Sequence, residues 1–170
     1  VSIVCGRSRT RVAGMSRDNF PELPPMPSPI TQIPASLLVN TIGKTIFAIA
    51  SEESRYTLTG SLLLLKPDSL AMVATDGHRL SFIKADCPLE GISGELEVLV
   101  PKKAMAEVLK IASEVDGSTG IDFAMDDNHL FFQCGQRLLI SRKLSGQFPD
   151  YKRVLPEVEG SSLVLNREEI

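Results

Sequence analysis

A strand that runs through a proline into a helix, followed by three more strands, occurs twice in these 170 residues, and a third copy opens near the end. In the first copy Ile33, Leu37, Leu38, Ile42, Ile46 and Phe47 fall near helical spacing. Pro34 suits a first helical position, where its missing N–H would have had no partner anyway. In the second, "LEVLVPKKAMAEVLKIASEV" repeats the pattern with Pro101 and the stripe Ala104, Met105, Val108, Leu109 and Ala112. Pro101 stands 67 residues after Pro34, and in "SSLVLNREEI" Asn166 stands 65 residues after Pro101. That period suits a duplicated supersecondary module. One module has too few strands to cover both a helix and a sheet face, so the two are expected side by side. The fold class is therefore α+β: a duplicated strand-helix-strands module with two helices on one side of a shared sheet.

Strands are expected at 57–66, 70–75 and 79–84 after the first helix, and at 120–125, 129–134 and 137–144 after the second. Asp76-Gly77 between two apolar runs predicts a tight hairpin with a primed turn, since Asp tolerates positive φ and Gly adopts it freely. Residues 20–29, "FPELPPMPSP", hold five prolines, which remove backbone donors and favour an extended linker. Residues 1–13 have strand-like composition and read as the last strands of an upstream domain. A first residue other than Met and a last segment that reads as a helix just begun suggest a piece of something longer.

The apolar fraction is 43%, the charged fraction 23% and the net charge −3. These values exclude a charge-rich disordered chain and give no global pull toward nucleic acid or membranes, so any DNA contact must be local. Cys5, Cys87 and Cys134 are scattered and odd in number, which suggests neither a disulfide framework nor a zinc knuckle and fits a reducing cytosol. No apolar run reaches the roughly 18 residues of a membrane span, and the N-terminus lacks the apolar core of a secretory signal.

"TDGHRLS", residues 75–81, gathers the most chemistry. A hydrolase would use Asp76, His78 and Ser81, yet Asp76 and His78 straddle a turn and Ser81 lacks a G-x-S-x-G elbow. The other histidine, His129, falls into no ligand spacing with the cysteines or acids, so no metal is expected. No glycine-rich phosphate cradle occurs, and no cofactor is expected. Two readings stay open from the residues alone: a plain turn, or a peptide-binding pocket at the hairpin base.

"ATDGHRL" at 74–80, followed one module later by "GQFPDYKRVLP" at 146–156, resembles the bacterial DNA polymerase III beta subunit family, the sliding clamps. "SRYTLTG", "CGRSR" and "FPELP" match the family as well, whereas "TRVAGMSRDN" is a less familiar version of its segment. The resemblance implies a DNA clamp fold, in which the shared sheet is curved and antiparallel, divided into the end of a first clamp domain (1–19), the Pro-rich linker (20–29), a second domain (30–156, repeats at about 30–86 and 95–145) and the start of a third (157–170). It implies a non-enzymatic processivity factor, cytoplasmic and nucleoid-associated, whose full-length chain forms a homodimeric ring around duplex DNA without reading its sequence. The partners implied are the DNA polymerase III alpha subunit, the clamp loader, and other polymerases and repair proteins, all held through short peptide motifs. The implied peptide pocket comprises Leu58, Thr75, Gly77, His78, Arg79, Leu80, Pro149, Arg153 and Val154. The implied DNA-facing residues are Lys44, Arg55, Tyr56, Lys102, Lys103 and Lys110. The alternatives from other classes are the hydrolase above and a peptide-binding scaffold that does not touch DNA.

Overall fold

The computed structural model describes residues 1–51, 53–156, 164–166 and 168. Strands β1 (Ser2–Cys5) and β2 (Ser8–Arg11) form an antiparallel hairpin with every residue exposed. After residues 20–29 come β3 (Thr31–Pro34), helix α1 (Ala35–Gly43), β4 (Gly60–Lys66), β5 (Ser69–Thr75) and β6 (Leu80–Asp86). The second half repeats that order as β7 (Leu96–Pro101), α2 (Lys102–Ser113), β8 (Gly120–Met125), β9 (His129–Cys134) and β10 (Arg137–Arg142). Of the expected third copy, residues 157–163, 167, 169 and 170 lie outside the described residues.

Pro34 and Pro101 close their strands and stand just before the helices, with ψ at 135° and 145°, instead of occupying the first helical position. Proline's fixed φ is compatible with both states, and ψ decides between them. Neither proline caps its helix through a side chain. The first α1 amides, Ala35 and Ser36, donate instead to Thr119 and Gly117 of the second half, and the first α2 amide, Lys102, donates to Thr59 of the first half. Each half thus satisfies the orphan donors of the other.

Helix α1 stops at Gly43, short of the predicted Ile46 and Phe47. The Thr41 and Thr45 hydroxyls donate back to the Leu37 and Thr41 carbonyls, both at 2.8 Å, and such bonds compete with helix continuation. Ile46–Ala48 forms a 3-10 turn that leaves Phe47 55% exposed. The strand expected from residue 57 begins at Gly60, because Glu53–Leu58 is itself a 3-10 segment.

The expectation of one shared sheet is corrected to two four-stranded antiparallel sheets, in the orders β6-β5-β4-β7 and β10-β9-β8-β3. The halves exchange a strand: β3 pairs with β8, and β7 pairs with β4. Each of these strands takes the free edge of the other half's sheet, where its ladder groups find partners. The two helices do lie together on one side. Leu38 and Ile42 of α1 and Met105 and Val108 of α2 pack with Leu63, Leu65, Met72, Ile121, Phe123 and Leu130 from the inner faces of both sheets. Each large apolar side chain so buried contributes about 1.5–3 kcal/mol before entropy is counted.

Candidate partner-binding site

Four consecutive leucines, Leu62–Leu65, are all buried in β4. An unbroken apolar strand means that both sheet faces are covered. Leu63 and Leu65 face the helices, while Leu62 and Leu64 join Ala50, Leu58, Ala71, Val73, Leu99 and Phe148 in a second cluster on the outer face. The cover for that face is the segment after β10. Lys143 N–H donates to the Asn128 carbonyl at 2.8 Å and Leu144 N–H to the Leu99 carbonyl at 3.3 Å. Phe148 then inserts into the cluster, and the 3-10 turn Tyr151–Val154 follows. Leu80, Leu144 and Tyr151 pack half-buried at its rim. The Tyr151 ring stacks on Phe82 of β6 with centroids 5.8 Å apart and planes 23° apart. Residues 74–80 and 146–156, distant in sequence, therefore meet at one apolar patch.

The turn between β5 and β6 is not the two-residue primed turn that Asp76-Gly77 predicts. It spans four residues, 76–79, closed by a bond from Asp76 N–H to the Arg79 carbonyl. Only Gly77 has positive φ, at 89°; Asp76 does not, so Asp76-Gly77 is not the central pair of a type I′ turn, which would need it at both. The side chain of Asp76 makes the longer loop favourable: Oδ1 accepts from the His78 and Arg79 amides, each at 3.0 Å, and Oδ2 from Arg79 Nε at 3.1 Å. The backbone amides of Arg79 and His78 are the main causes that hold the Asp76 carboxyl down to about 2. Thr75 Oγ1 adds a second brace, donating to the Arg79 carbonyl at 2.7 Å and accepting from Gly77 N–H at 3.0 Å.

The nine expected pocket residues fall into three groups. Leu58 is buried in the outer cluster and Leu80 sits on its rim, so both belong to one patch. Thr75 is buried and spent on the turn, and Gly77, His78 and Arg79 are exposed on it. Pro149, Arg153 and Val154 are exposed on the exit segment, with Arg153 Nε bonded to Asp150 Oδ2 at 2.9 Å. Two clefts border the patch. One, about 660 Å³, runs between β7, the β8–β9 turn and the exit segment, and includes Pro149. The other, about 260 Å³, is lined by Phe47, Ile49, Ala50, Ser51, Asp76, His78, Arg79 and Lys102.

Sequence reasoning missed Phe148 and Tyr151, which stand inside the quoted "GQFPDYKRVLP" and do the packing there. Their aromatic type and three-residue spacing were the available signal. Phe47 was missed because helical spacing assigned it to the core.

Of the residues that the hydrolase alternative names, Asp76 and Ser81 are engaged with the fold itself. The Asp76 carboxylate is turned to backbone amides and Arg79, and Ser81 Oγ donates to the Lys44 carbonyl at 2.5 Å. His129 Nδ1 lies 3.2 Å from Asp126, and among the described residues no three His, Cys, Asp or Glu side chains gather as metal ligands would.

Of the six expected DNA-facing residues, Lys44, Tyr56, Lys102, Lys103 and Lys110 are exposed. Arg55 lies in the 3-10 segment Glu53–Leu58. Lys110 is paired with Glu107 at 2.7 Å. Lys102 and Lys103 occupy the first turn of α2, which holds no acidic residue. Among the described residues, no helix is long and apolar enough to cross a membrane.

Comparison with known proteins gives a consistent result. The model of the DNA polymerase III beta subunit, central domain, matches residues 32–150. A beta sliding clamp of Chlamydia pneumoniae is 36% identical over 170 residues, covering 99% of this chain and 45% of that protein. The crystal structure of the DNA polymerase III subunit beta from Pseudomonas aeruginosa is similar at a TM-score of 0.80 and 30% identity, covering 92% of this chain and 43% of that one. Caulobacter crescentus pol III beta is similar at 0.80 and 32%, covering 94% and 44%. The chain thus spans about half the length of the relatives it matches.

Proposed function

The chain belongs to the DNA polymerase III beta subunit family, and from that membership we propose that it is the central part of a sliding clamp, a processivity factor without catalysis of its own. Residues 1–19 are the end of a first clamp domain, 20–29 the linker, 30–156 the second domain and 157–170 the opening of a third. The full-length chain closes as a homodimeric ring around duplex DNA in the bacterial cytoplasm, at the nucleoid. The ring tethers the polymerase III alpha subunit, the clamp loader, and other polymerases and repair proteins.

One observation carries this reading: the 74–80 and 146–156 segments meet over a single apolar cluster, with Leu58 inside it and Leu80 and Tyr151 on its rim. A partner peptide docks there, bordered by Thr75, Gly77, His78, Arg79 and Leu80 on one side and Pro149, Arg153 and Val154 on the other. The aliphatic stem of Arg79 and the ring of His78 suit a wall that is apolar along its length and polar at its tip. Burying two large apolar peptide side chains yields about 3–6 kcal/mol, and ordering the peptide consumes part of it. Short motifs therefore bind weakly and exchange.

The DNA-facing surface comprises Lys44, Arg55, Tyr56, Lys102, Lys103 and Lys110. Lys102 and Lys103 support it, because a cation in a first helical turn opposes the helix dipole, which disfavours it by about 0.3–1 kcal/mol. A phosphate partner reverses that penalty. Such contacts are sequence-independent and weaken with salt.

His78→Ala in the full-length chain is expected to weaken an alpha-subunit-derived peptide several-fold, measured by fluorescence anisotropy. Unchanged binding would remove the pocket. Retention on circular but not linear DNA tests the ring, and retention on neither would favour a scaffold that does not touch DNA.

A further inference from the structure

Phe47 is a large apolar residue left 55% exposed in the 3-10 turn after α1, and among the described residues neither apolar cluster includes it. Its surroundings assign it a task. The carbonyl oxygen of Phe47 accepts from Arg79 Nη2 at 2.8 Å, and the Arg79 guanidinium carbon lies 5.7 Å from the centroid of its ring. Arg79 Nε donates to Asp76 Oδ2 at 3.1 Å. A side chain that is 60% exposed is therefore held by a carboxylate, a backbone carbonyl and a ring face. A second tie between the same elements, from Ser81 Oγ to the Lys44 carbonyl at 2.5 Å, fixes the distance between the end of α1 and β6.

Holding an exposed arginine this firmly has no evident return in stability, because surface ion pairs contribute little. It does change what binding costs. A free arginine loses rotamer freedom when a partner engages it, and an arginine already fixed has met that loss during folding. Two of the five guanidinium donors are spent on Asp76 and Phe47. Among the described residues the others have no acceptor, and they are open to one at the 260 Å³ cleft, whose lining includes both Phe47 and Arg79.

On the reading that the 76–79 loop borders a partner-peptide pocket, we propose that Phe47 is a positioning residue of that pocket: its ring and carbonyl preorganise Arg79 as a donor for a backbone carbonyl or carboxylate of the bound peptide. The test is fluorescence anisotropy of the full-length chain with a fluorescein-labelled peptide copied from the polymerase III alpha subunit of the same organism. Phe47→Leu keeps apolar bulk and the carbonyl but removes the ring, and is expected to raise Kd about three- to fivefold, the range an exposed cation–π contact supports. The thermal midpoint is expected to stay unchanged. Phe47→Met should reproduce the loss and Phe47→Tyr should restore binding. In an Arg79→Ala background Phe47→Leu should have no further effect, since its action runs through that side chain. An unchanged Kd, or an equal loss in the Arg79→Ala background, overturns the proposal. If His78→Ala and Leu80→Ala weaken the peptide while Phe47→Leu does not, only the role of Phe47 falls; if those two also leave it bound as before, the pocket falls and the role of Phe47 with it.

Discussion

At Asp76 a single carboxylate organises the 76–79 loop by accepting from two backbone amides and from Arg79. Those bonds need the ionised form, which is why the group titrates at about 2 and not at its ordinary 3.8. A depressed carboxylate adds its share of stability fully above the ordinary value and loses it as the pH falls through the depressed one. The loop is therefore expected to hold its shape down to about pH 3 and to loosen toward pH 2. Side-chain carboxyl NMR should place the Asp76 midpoint near 2, with faster amide exchange at His78 and Arg79 below it. A midpoint at the ordinary value would mean that the cap does not persist in solution. The Asp-Gly pair announced a turn at this place, and a turn is there. Its length was not legible, because it depends on what the Asp76 side chain bonds to, and the strongest short hairpin signal describes backbone preferences alone.

Among the elements, β4 has the most demanding position, with β5 on one edge, β7 on the other, helices below and the exit segment above. Its run of leucines already indicated burial on both faces, although not what would cover the outer one. Gly60, at its start, is where three parts close in. A Cβ there would stand 2.5 Å from Leu144 Cδ1 and inside contact distance of the Val100 carbonyl oxygen. Gly60→Ala is expected to cost about 1–3 kcal/mol, as overpacking against backbone does, read as a lower midpoint in urea unfolding. A neutral outcome would show that the exit segment does not pack as tightly against β4 as described. The helices were legible in outline because their apolar spacing survives any tertiary context. The early end of α1 was not, since it turns on two threonine hydroxyls bonding back to the preceding turn.

Across the whole molecule, the exchange of β3 and β7 makes each half incomplete without the other. A peptide of residues 30–86 would lack both the partner strand of β4 and the loop that receives the first amides of α1, so it is expected to remain unfolded, whereas 30–156 is expected to fold cooperatively. Circular dichroism and amide dispersion in NMR would distinguish them, and a folded 30–86 would refute the interdependence of the halves. What the sequence determined by itself was periodic and local: the duplication, the two helices, the identity and approximate bounds of the strands, and the two segments that carry the family resemblance. These follow from side-chain patterning and backbone preference, which every stretch of chain carries with it. Only the tertiary structure decided that the sheet is two, that the halves trade strands, and that Phe47 lies against Arg79 while Phe148 and Tyr151 cover the outer face. Those outcomes depend on which distant edge is left free and which apolar face is left bare, conditions that no short stretch of sequence contains.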